Sequence, residues 1–353
     1  MKLRLFSLIA AIGASFLLAP RGSAQELPYQ FFERYLEPLA QQIGMPGLSA
    51  VIVRNNRIEW EEGYGYADVE SKTPATPDTL YPIGGVTQAM TAVLIGVCTD
   101  RHLLEVDAGI RRWVPTFPED AKVRHVLGHV SEGRYNYDQA RYTALTPVVE
   151  DCMKQPFRLA LADEILNKLG MRSSVPGLDL DQAEGQAARQ LFSASEVSRY
   201  QGLLRARLAT PYRIERKKPI RSQYQSYGLD ASSGMVASAR DLADFERELD
   251  DDTNNVPIGL STFQQMWVPF VLADGTITPT GQGWFVQRVS GVDLVWTFGH
   301  LPDAASALIV KMPSKKLTLV LLSNSGGLAD TYQLEKGDIS DSPFVKVFLR
   351  LFI

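Results

Sequence analysis

The chain has 353 residues, of which 45% are hydrophobic and 22% charged, which allows a sizeable core and suggests about two domains. Its formal net charge is −4 at pH 7, and charges of both signs are mixed along the chain. This balance excludes a general electrostatic case for nucleic-acid binding, and the composition is that of an ordinary globular protein.

The N-terminus has the pattern of a cleaved signal peptide. Lys2 and Arg4 precede an apolar run over residues 5–18, and the small residues Gly22–Ala24 follow. A membrane anchor is the alternative, but this run of about 14 residues is shorter than the roughly 20 that span a bilayer. We therefore expect a signal peptide at residues 1–24 and a periplasmic or secreted protein. No cysteine directly follows the apolar run, so no lipid anchor is expected.

The first part of the mature chain combines helix and strand patterns. Residues 29–44 place apolar side chains on one face of a helix. A strand over 48–54, a turn at Asn55-Asn56 and a return strand over 57–66 form a predicted hairpin. Residues 79–94 (TLYPIGGVTQAMTAVL) predict a strand end, a Gly-Gly pair and then a helix. Enzymes often place nucleophiles at such a turn, where the free N–H groups and the positive helix dipole lie.

The middle of the chain, from about residue 107 to 226, is helical and rich in loops. It includes a helix predicted over 148–169 and a capping box at Ser193–Glu196 that begins another helix. We interpret the basic segment 213–221 as a solvated loop rather than an anion-binding patch.

Strand patterns return towards the C-terminus. Strands are predicted over residues 283–290, 292–298, 305–311 and 317–323, with a closing helix over 342–353. The two ends would build one α/β part, about 25–106 and 227–353, with about 107–226 as a helical insertion. A cleft between two such parts is a common place for a ligand.

Several stretches, in order, resemble the serine β-lactamases and penicillin-binding proteins, in the branch of class C β-lactamases and D-alanyl-D-alanine peptidases. Residues 63–68 (GYGYAD) resemble a strand of that family, 123–131 (VRHVLGHVS) its LLxHTSG segment, and 234–243 (GMVASARDLA) its GGLxSTARDLA. The likeness covers roughly residues 30–325. It implies that residues 25–353 form one β-lactamase-like domain, an α/β fold with an antiparallel sheet flanked by helices and an inserted helical domain. The chemistry it implies is acyl transfer.

The predicted nucleophile helix departs from the family at both catalytic positions. The family carries Ser-x-x-Lys, in which the amine shares a helix face with the hydroxyl that it activates. This chain has Gly85 and Gln88 there. Glycine offers no nucleophile and an amide does not titrate, so no catalytic residue is intact and enzyme activity is left open. If the cleft is otherwise kept, Gly85→Ser with Gln88→Lys should restore slow acylation.

Further motif positions could contact a substrate. Tyr137 matches the tyrosine of the family's Tyr-x-Asn motif and Gln139 replaces its asparagine, with Tyr135 as an alternative tyrosine. His300 matches the first position of His-x-Gly, and Pro302 replaces the glycine. Proline removes a donor from the strand, which argues against docking of an extended substrate. The alternative is that the tyrosines and His300 are packing residues.

No other chemistry competes in this sequence. The four histidines show no metal-ligand spacing and no phosphate-binding glycine loop is present, so we expect no metal and no cofactor. Thr87 and Ser131 are the remaining hydroxyls near the expected cleft, and neither has an evident base beside it. Cys98 and Cys152 could form a disulfide in an exported chain or stay as buried thiols.

Three functions are compatible with these residues. The first is an exported, catalytically impaired β-lactamase relative whose cleft binds peptidoglycan-like fragments, peptides or a protein partner. The second is an active hydrolase (a β-lactamase, carboxypeptidase or esterase) with a displaced nucleophile. The third is a structural or assembly protein whose cleft is filled by side chains. No nucleic-acid partner and no membrane span after signal cleavage is expected, and an open cleft beside Gly85 would favour the first function.

Overall fold

The computed structural model describes residues 26–225, 228–250 and 258–353, so the predicted signal peptide lies outside the described residues. The chain begins with a helix, a hairpin and two short strands before the central helix: α1 (Glu26–Ile43), β1 (Gly47–Arg54), β2 (Arg57–Asp68), β3 (Thr73–Pro74), β4 (Leu80–Pro82) and α2 (Thr87–Asp100). The predicted turn residues Asn55 and Asn56 have φ of 49° and 61°, as a two-residue hairpin turn requires.

The middle of the chain is mostly helical, with α3 (Val123–Leu127), α4 (Gln139–Tyr142), α5 (Thr146–Met153), α6 (Phe157–Leu161), α7 (Gln186–Arg189) and α8 (Ala194–Arg207). The single helix predicted over 148–169 is wrong. Lys154 has a left-handed φ of 55° and Pro156 follows it, which ends α5, and residues 162–167 continue α6 as a π-helical turn.

The basic segment interpreted as a solvated loop is instead a hairpin, formed by β5 (Tyr212–Glu215) and β6 (Lys218–Arg221). Its turn residues Arg216 and Lys217 have φ of 49° and 65°. This conformation is the one that favours Gly and Asn, and neither residue type is present to signal the turn.

The last part of the chain contains β7 (Val236–Ser238), α9 (Ala239–Leu249), α10 (Leu260–Gln265), β8 (Phe285–Val289), β9 (Val292–Leu301), β10 (Ala305–Met312), β11 (Leu317–Ser323) and α11 (Pro343–Phe352). The four strands and the closing helix predicted for this region are therefore present. Ser238 is the N-cap residue of α9, and its hydroxyl accepts the N–H of Asp241 at 3.1 Å.

A seven-stranded sheet in the order β3-β2-β1-β11-β10-β9-β8 lies at the centre of the molecule, and each neighbouring pair is antiparallel. Alternate residues of each strand face opposite layers. Leu308 and Val310 pack in the core that α1 and α11 cover, whereas Ile309 packs in the core that α2 and α9 cover. The predicted α/β fold, an antiparallel sheet flanked by helices, is confirmed.

A disulfide joins Cys98 at the end of α2 to Cys152 in α5, with their Cα atoms 6.2 Å apart. Of the two alternatives that the sequence left open, the structure contains the bridge. It ties the central helix to the helical region. None of the helices in the described segments is long and apolar enough to cross a membrane.

Candidate functional site

The strand-to-helix turn predicted around Gly85 is present. Strand β4 leads through Ile83 into a 3-10 turn over Gly84–Val86, and α2 begins at Thr87. Gly84 has φ of +51°, and a Cβ atom on it would lie 3.0 Å from the backbone nitrogen of His300. The turn is therefore pressed against the end of strand β9, and glycine is needed at residue 84 for both reasons.

The space in which a side chain of residue 85 would stand is occupied. A Cβ atom on Gly85 would lie 2.7 Å from the hydroxyl oxygen of Tyr137 and 2.8 Å from the carbonyl oxygen of Phe298. Both carbon-to-oxygen contacts would be shorter than 3.0 Å, so one of the atoms would have to move. The space for a side chain at residue 85 is therefore closed.

Gln88 lies on the same side of α2 and links two buried rings. Its Nε2 donates to the Tyr137 hydroxyl at 3.3 Å, and its Oε1 lies 3.1 Å from Nε2 of His129. Because an amide oxygen only accepts, Nε2 of His129 carries the proton. Nδ1 of His129 then accepts the backbone N–H of Asp138, at 3.3 Å.

Both rings bonded to Gln88 are neutral. Burial lowers the pKa of His129 to about 4, although the nearby Asp138 carboxylate opposes this shift. Burial also raises the pKa of Tyr137 above its usual range. At neutral pH neither group is charged: Tyr137 keeps its proton, and His129 is too weakly basic to be an effective general base. Gly85, Gln88 and Tyr137 thus lie together, and none of the three supplies a nucleophile or a base at neutral pH.

An aromatic cluster holds Tyr137 in this position. Its ring centroid lies 4.5 Å from that of His129, 5.4 Å from Phe298 and 5.9 Å from Phe285. Phe285 in turn stacks on Trp296 at 4.2 Å. The predicted alternative, Tyr135, donates its hydroxyl to the carbonyl of Glu335 at 2.5 Å and lies outside the contacts around residue 85.

The two other predicted residues, Gln139 and His300, line a neighbouring pocket of about 160 Å³. Gln139 donates its amide to the carbonyl of Ser232 at 3.4 Å, and His300 donates Nε2 to Asp330 at 2.5 Å. The same pocket is lined by Pro82, Gly84, Leu178, Ser233, Gly234, Leu301 and Pro302. The predicted site is therefore divided into a packed cluster that contains Tyr137 and a small pocket that contains Gln139 and His300.

Pro302 follows the last residue of β9 and lies in the turn to β10, where the Ala304 N–H bonds to the Leu301 carbonyl at 3.0 Å. It forms part of the pocket wall rather than an inner strand position.

The hydroxyls that the sequence singled out lie elsewhere. Thr87 is fully buried and accepts the Met235 N–H at 3.4 Å, and Ser131 accepts Nε of Arg141 at 2.9 Å.

Sequence reasoning missed His129, Phe298 and Ser233. His129 stands at the histidine of the LLxHTSG-like segment, so a signal for it was present. Phe298 acts through its backbone carbonyl and its ring, and Ser233 through its place in the pocket wall. No short sequence motif marks those two roles.

A buried carboxylate holds the chain segment that leads to the pocket residue Leu178. Asp241, the third residue of α9, accepts the N–H of Ser173 and the hydroxyl of Ser174, both at 2.8 Å. Burial raises the pKa of Asp241 to about 6, and these hydrogen bonds oppose that shift. The contacts fix the segment that precedes Leu178 against the start of α9.

The fold is an antiparallel sheet flanked by helices, with the strand-to-helix turn packed against strand β9. This arrangement and the motif positions around the turn are those of the class of serine β-lactamases and penicillin-binding proteins. The β-lactamase family model matches residues 32–339, so the chain belongs to the β-lactamase family. In the motif comparison made from the sequence, Gly85 and Gln88 stand at the positions of the family's Ser-x-x-Lys.

Individual relatives agree with this assignment. Protein flp of Staphylococcus aureus (strain MW2) is 33% identical over 340 residues, covering 84% of this chain and 63% of that protein. Serine beta-lactamase-like protein LACTB, mitochondrial, of Bos taurus is 32% identical over 84 residues, which cover 24% of this chain and 15% of that protein. The matched region thus spans a small part of the length of that relative.

Solved structures share the fold at low sequence identity. The octameric penicillin-binding protein homologue from Pyrococcus abyssi has a TM-score of 0.70 at 20% identity, covering 85% of this chain and 74% of that one. A β-lactamase/D-alanine carboxypeptidase from Pseudomonas syringae has a TM-score of 0.67 at 17% identity, covering 93% of this chain and 98% of that one.

Proposed function

We propose that this chain is an exported, catalytically impaired member of the β-lactamase family that binds a small peptidoglycan-like or peptide fragment. The observation that carries the loss of catalysis is the Tyr137 hydroxyl, 2.7 Å from the place of a Cβ atom on Gly85. A serine there would have no room, and Gln88 offers no base.

The pocket beside Gly84 is the proposed binding site. Its volume of about 160 Å³ is below the roughly 300–1,000 Å³ of drug-sized ligand sites, so it suits a group of about one amino-acid residue. Gln139, Ser233 and His300 offer hydrogen-bonding side chains, and Leu178 offers an apolar wall. This chemistry fits a terminal alanine of a short peptide, with the rest of the peptide outside the pocket.

Export is supported by two independent features. Residues 5–18 form the apolar part of the predicted signal peptide. The Cys98–Cys152 disulfide is typical of oxidising compartments. Expression in a bacterial host followed by intact mass measurement of the periplasmic fraction should give a chain that begins near Gln25. A full-length chain in that fraction would contradict cleavage.

The catalytic part of the proposal is tested by covalent labelling. A fluorescent penicillin and a fluorophosphonate should both leave the protein unlabelled, with an active class C β-lactamase as the positive control. A stable mass adduct would instead support an active hydrolase with a displaced nucleophile. The Ser233→Ala variant then decides whether the hydroxyl in the pocket is that nucleophile.

The binding part is tested by calorimetry with D-alanyl-D-alanine and its L,L isomer. We expect binding of the D,D peptide that Gln139→Ala weakens about fivefold, because one hydrogen bond to the ligand contributes about 1 kcal/mol. Gln190→Ala, an exposed glutamine at the end of α7, is the matched control and should leave the affinity unchanged.

A filled cleft in a structural or assembly protein is the second candidate, and the aromatic cluster around Tyr137 favours it. The two proposals differ in whether the pocket binds a peptide. No heat or thermal shift with D-alanyl-D-alanine or with longer peptidoglycan peptides would overturn the binding proposal and favour the structural one.

A further inference from the structure

A second, larger cavity lies at the turn of the β5–β6 hairpin. Its volume is about 510 Å³, within the range of about 300–1,000 Å³ that is usual for small-molecule sites. Its apolar surface comes from four half-buried side chains that pack on the core beneath α1 and α11: Leu39, Ile43, Ile214 and Tyr332. We call this cavity the hairpin groove.

Two unpaired cations stand at the rim of the hairpin groove. Arg216 and Lys217 are exposed, and neither forms an ion pair or a side-chain hydrogen bond within the parts of the chain that the structure describes. The other charged residue of the groove, Asp330, accepts Nε2 of His300 at 2.5 Å. The groove therefore joins an apolar floor to a rim that carries two unpaired cations and one carboxylate, a net positive charge.

The hairpin turn that carries these cations is fixed in place. A Cβ atom on Gly44, which follows α1, would lie 2.4 Å from the carbonyl oxygen of Lys217. The turn thus packs tightly on the end of α1, so the backbone that carries the two cations is preorganised.

We propose that the hairpin groove binds an amphipathic monoanion, a medium-chain fatty-acid carboxylate. The carboxylate pairs with Arg216 and Lys217, and the alkyl chain covers Leu39, Ile43 and Ile214. The groove is separate from the pocket that contains Gln139, although Asp330 reaches the groove and His300 reaches that pocket. This site is independent of the proposed binding of alanine peptides.

Calorimetric titration with three ligands of equal chain length tests the charge preference. Decanoate, below its micelle concentration, should bind more tightly than decanol, and decyltrimethylammonium should bind most weakly. Arg216→Gln/Lys217→Gln should weaken decanoate about fivefold and leave decanol unchanged, because two exposed ion pairs contribute about 1 kcal/mol together. Lys218→Gln/Lys336→Gln is the matched control, since it removes the same charge from exposed lysines outside the groove.

A proton NMR titration of the histidine rings tests the location. The chain has four histidines, and only His300 contacts a residue of the groove through Asp330, among the contacts that the described residues make. Decanoate should shift the ring signal of His300, assigned with His300→Gln, and leave the other three in place. Equal affinity for decanol and decanoate, equal effects of the two double variants, or an unmoved His300 signal would each overturn the proposal.

Discussion

Replacing Gly85 by alanine gives the sharpest test of whether the old nucleophile position is filled. The added methyl group would lie 2.7 Å from the Tyr137 hydroxyl and 2.8 Å from the Phe298 carbonyl. Overpacking of this kind costs about 1–3 kcal/mol. The φ of Gly85 is not positive, so alanine also gains about 0.4–1 kcal/mol from a less flexible unfolded chain. We expect a net loss of roughly 1–2 kcal/mol of unfolding free energy.

Gly202→Ala is the matched control for this substitution. Gly202 lies inside α8, and a Cβ atom on it would meet nothing within 4 Å. Alanine should stabilise the protein there by about 0.5–1 kcal/mol, because glycine is a poor helix former. The same substitution is thus expected to lower the unfolding free energy at Gly85 and to raise it at Gly202.

A double-mutant cycle with Tyr137→Phe identifies the contact responsible. Removing the hydroxyl takes away the nearer of the two close atoms but leaves the Phe298 carbonyl. Gly85→Ala should therefore cost less in the phenylalanine background, with a coupling of about 0.5–1.5 kcal/mol. Urea unfolding followed by tryptophan fluorescence measures all four proteins.

Two results would refute a filled position. If Gly85→Ala stabilises the protein as Gly202→Ala does, the space beside Gly85 is open. If the cycle shows no coupling, Tyr137 does not fill it. With that space filled, the Gly85→Ser/Gln88→Lys variant should stay unlabelled by penicillin, because the serine has no room and the buried ammonium is strongly disfavoured.

Three further predictions concern stability. Because burial lowers the pKa of His129 to about 4, the unfolded chain binds a proton at this ring between about pH 6.5 and 4, whereas the folded chain does not. Unfolding free energy should fall by up to roughly 3 kcal/mol as the pH drops to 4, and urea titrations of His129→Gln should lack this component; an unchanged pH slope would contradict it. The Cys98→Ala/Cys152→Ala variant lacks a bridge that closes a sequence separation of 54, so its unfolding free energy, measured in urea, should be roughly 4 kcal/mol lower. Two alkylatable thiols in the native protein would show that no bridge exists. Arg158 and Asp179 form a buried bidentate pair at 2.8 and 2.9 Å. Arg158→Met alone should lower the unfolding free energy by about 3–5 kcal/mol, because it leaves the Asp179 carboxylate unpaired, and Arg158→Met/Asp179→Leu should lower it much less. Equal losses of the two variants in urea unfolding would show that the unpaired charge is not the cause.

The elements that could be predicted are those whose signals are local. The Asn55-Asn56 turn lies between alternating strands, and the Gly-Gly pair precedes a long apolar helix, so both were found from neighbouring residues alone. The β5–β6 hairpin was missed because Arg216 and Lys217 adopt positive φ without the usual turn residues. The break at Lys154 was missed because the apolar spacing continues across it.

The state of the site could not be predicted, because it depends on residues far apart in the chain. Gln88 meets His129 across 41 positions and Tyr137 across 49. The Phe298 carbonyl reaches Gly85 only because strand β9 packs against the 3-10 turn. A motif comparison detects that a serine and a lysine are absent, but it does not detect what occupies their space.

The substitutions at Gly85 and Gln88 are coupled through the groups that surround them. Neutral His129 needs an acceptor at Nε2, and the Tyr137 hydroxyl receives a donor; a glutamine amide supplies both, whereas a lysine ammonium supplies only donors. With Gln88 in place, the Tyr137 hydroxyl stands where a side chain at residue 85 would meet a close contact. A single reversion at either position therefore meets a steric contact or a lost hydrogen bond. Because Tyr137 itself matches the motif tyrosine, we expect restored acylation to need both substitutions together with a shift of the Tyr137 ring that makes room for the serine. The aromatic contacts of Tyr137 with His129 and Phe298 oppose that shift.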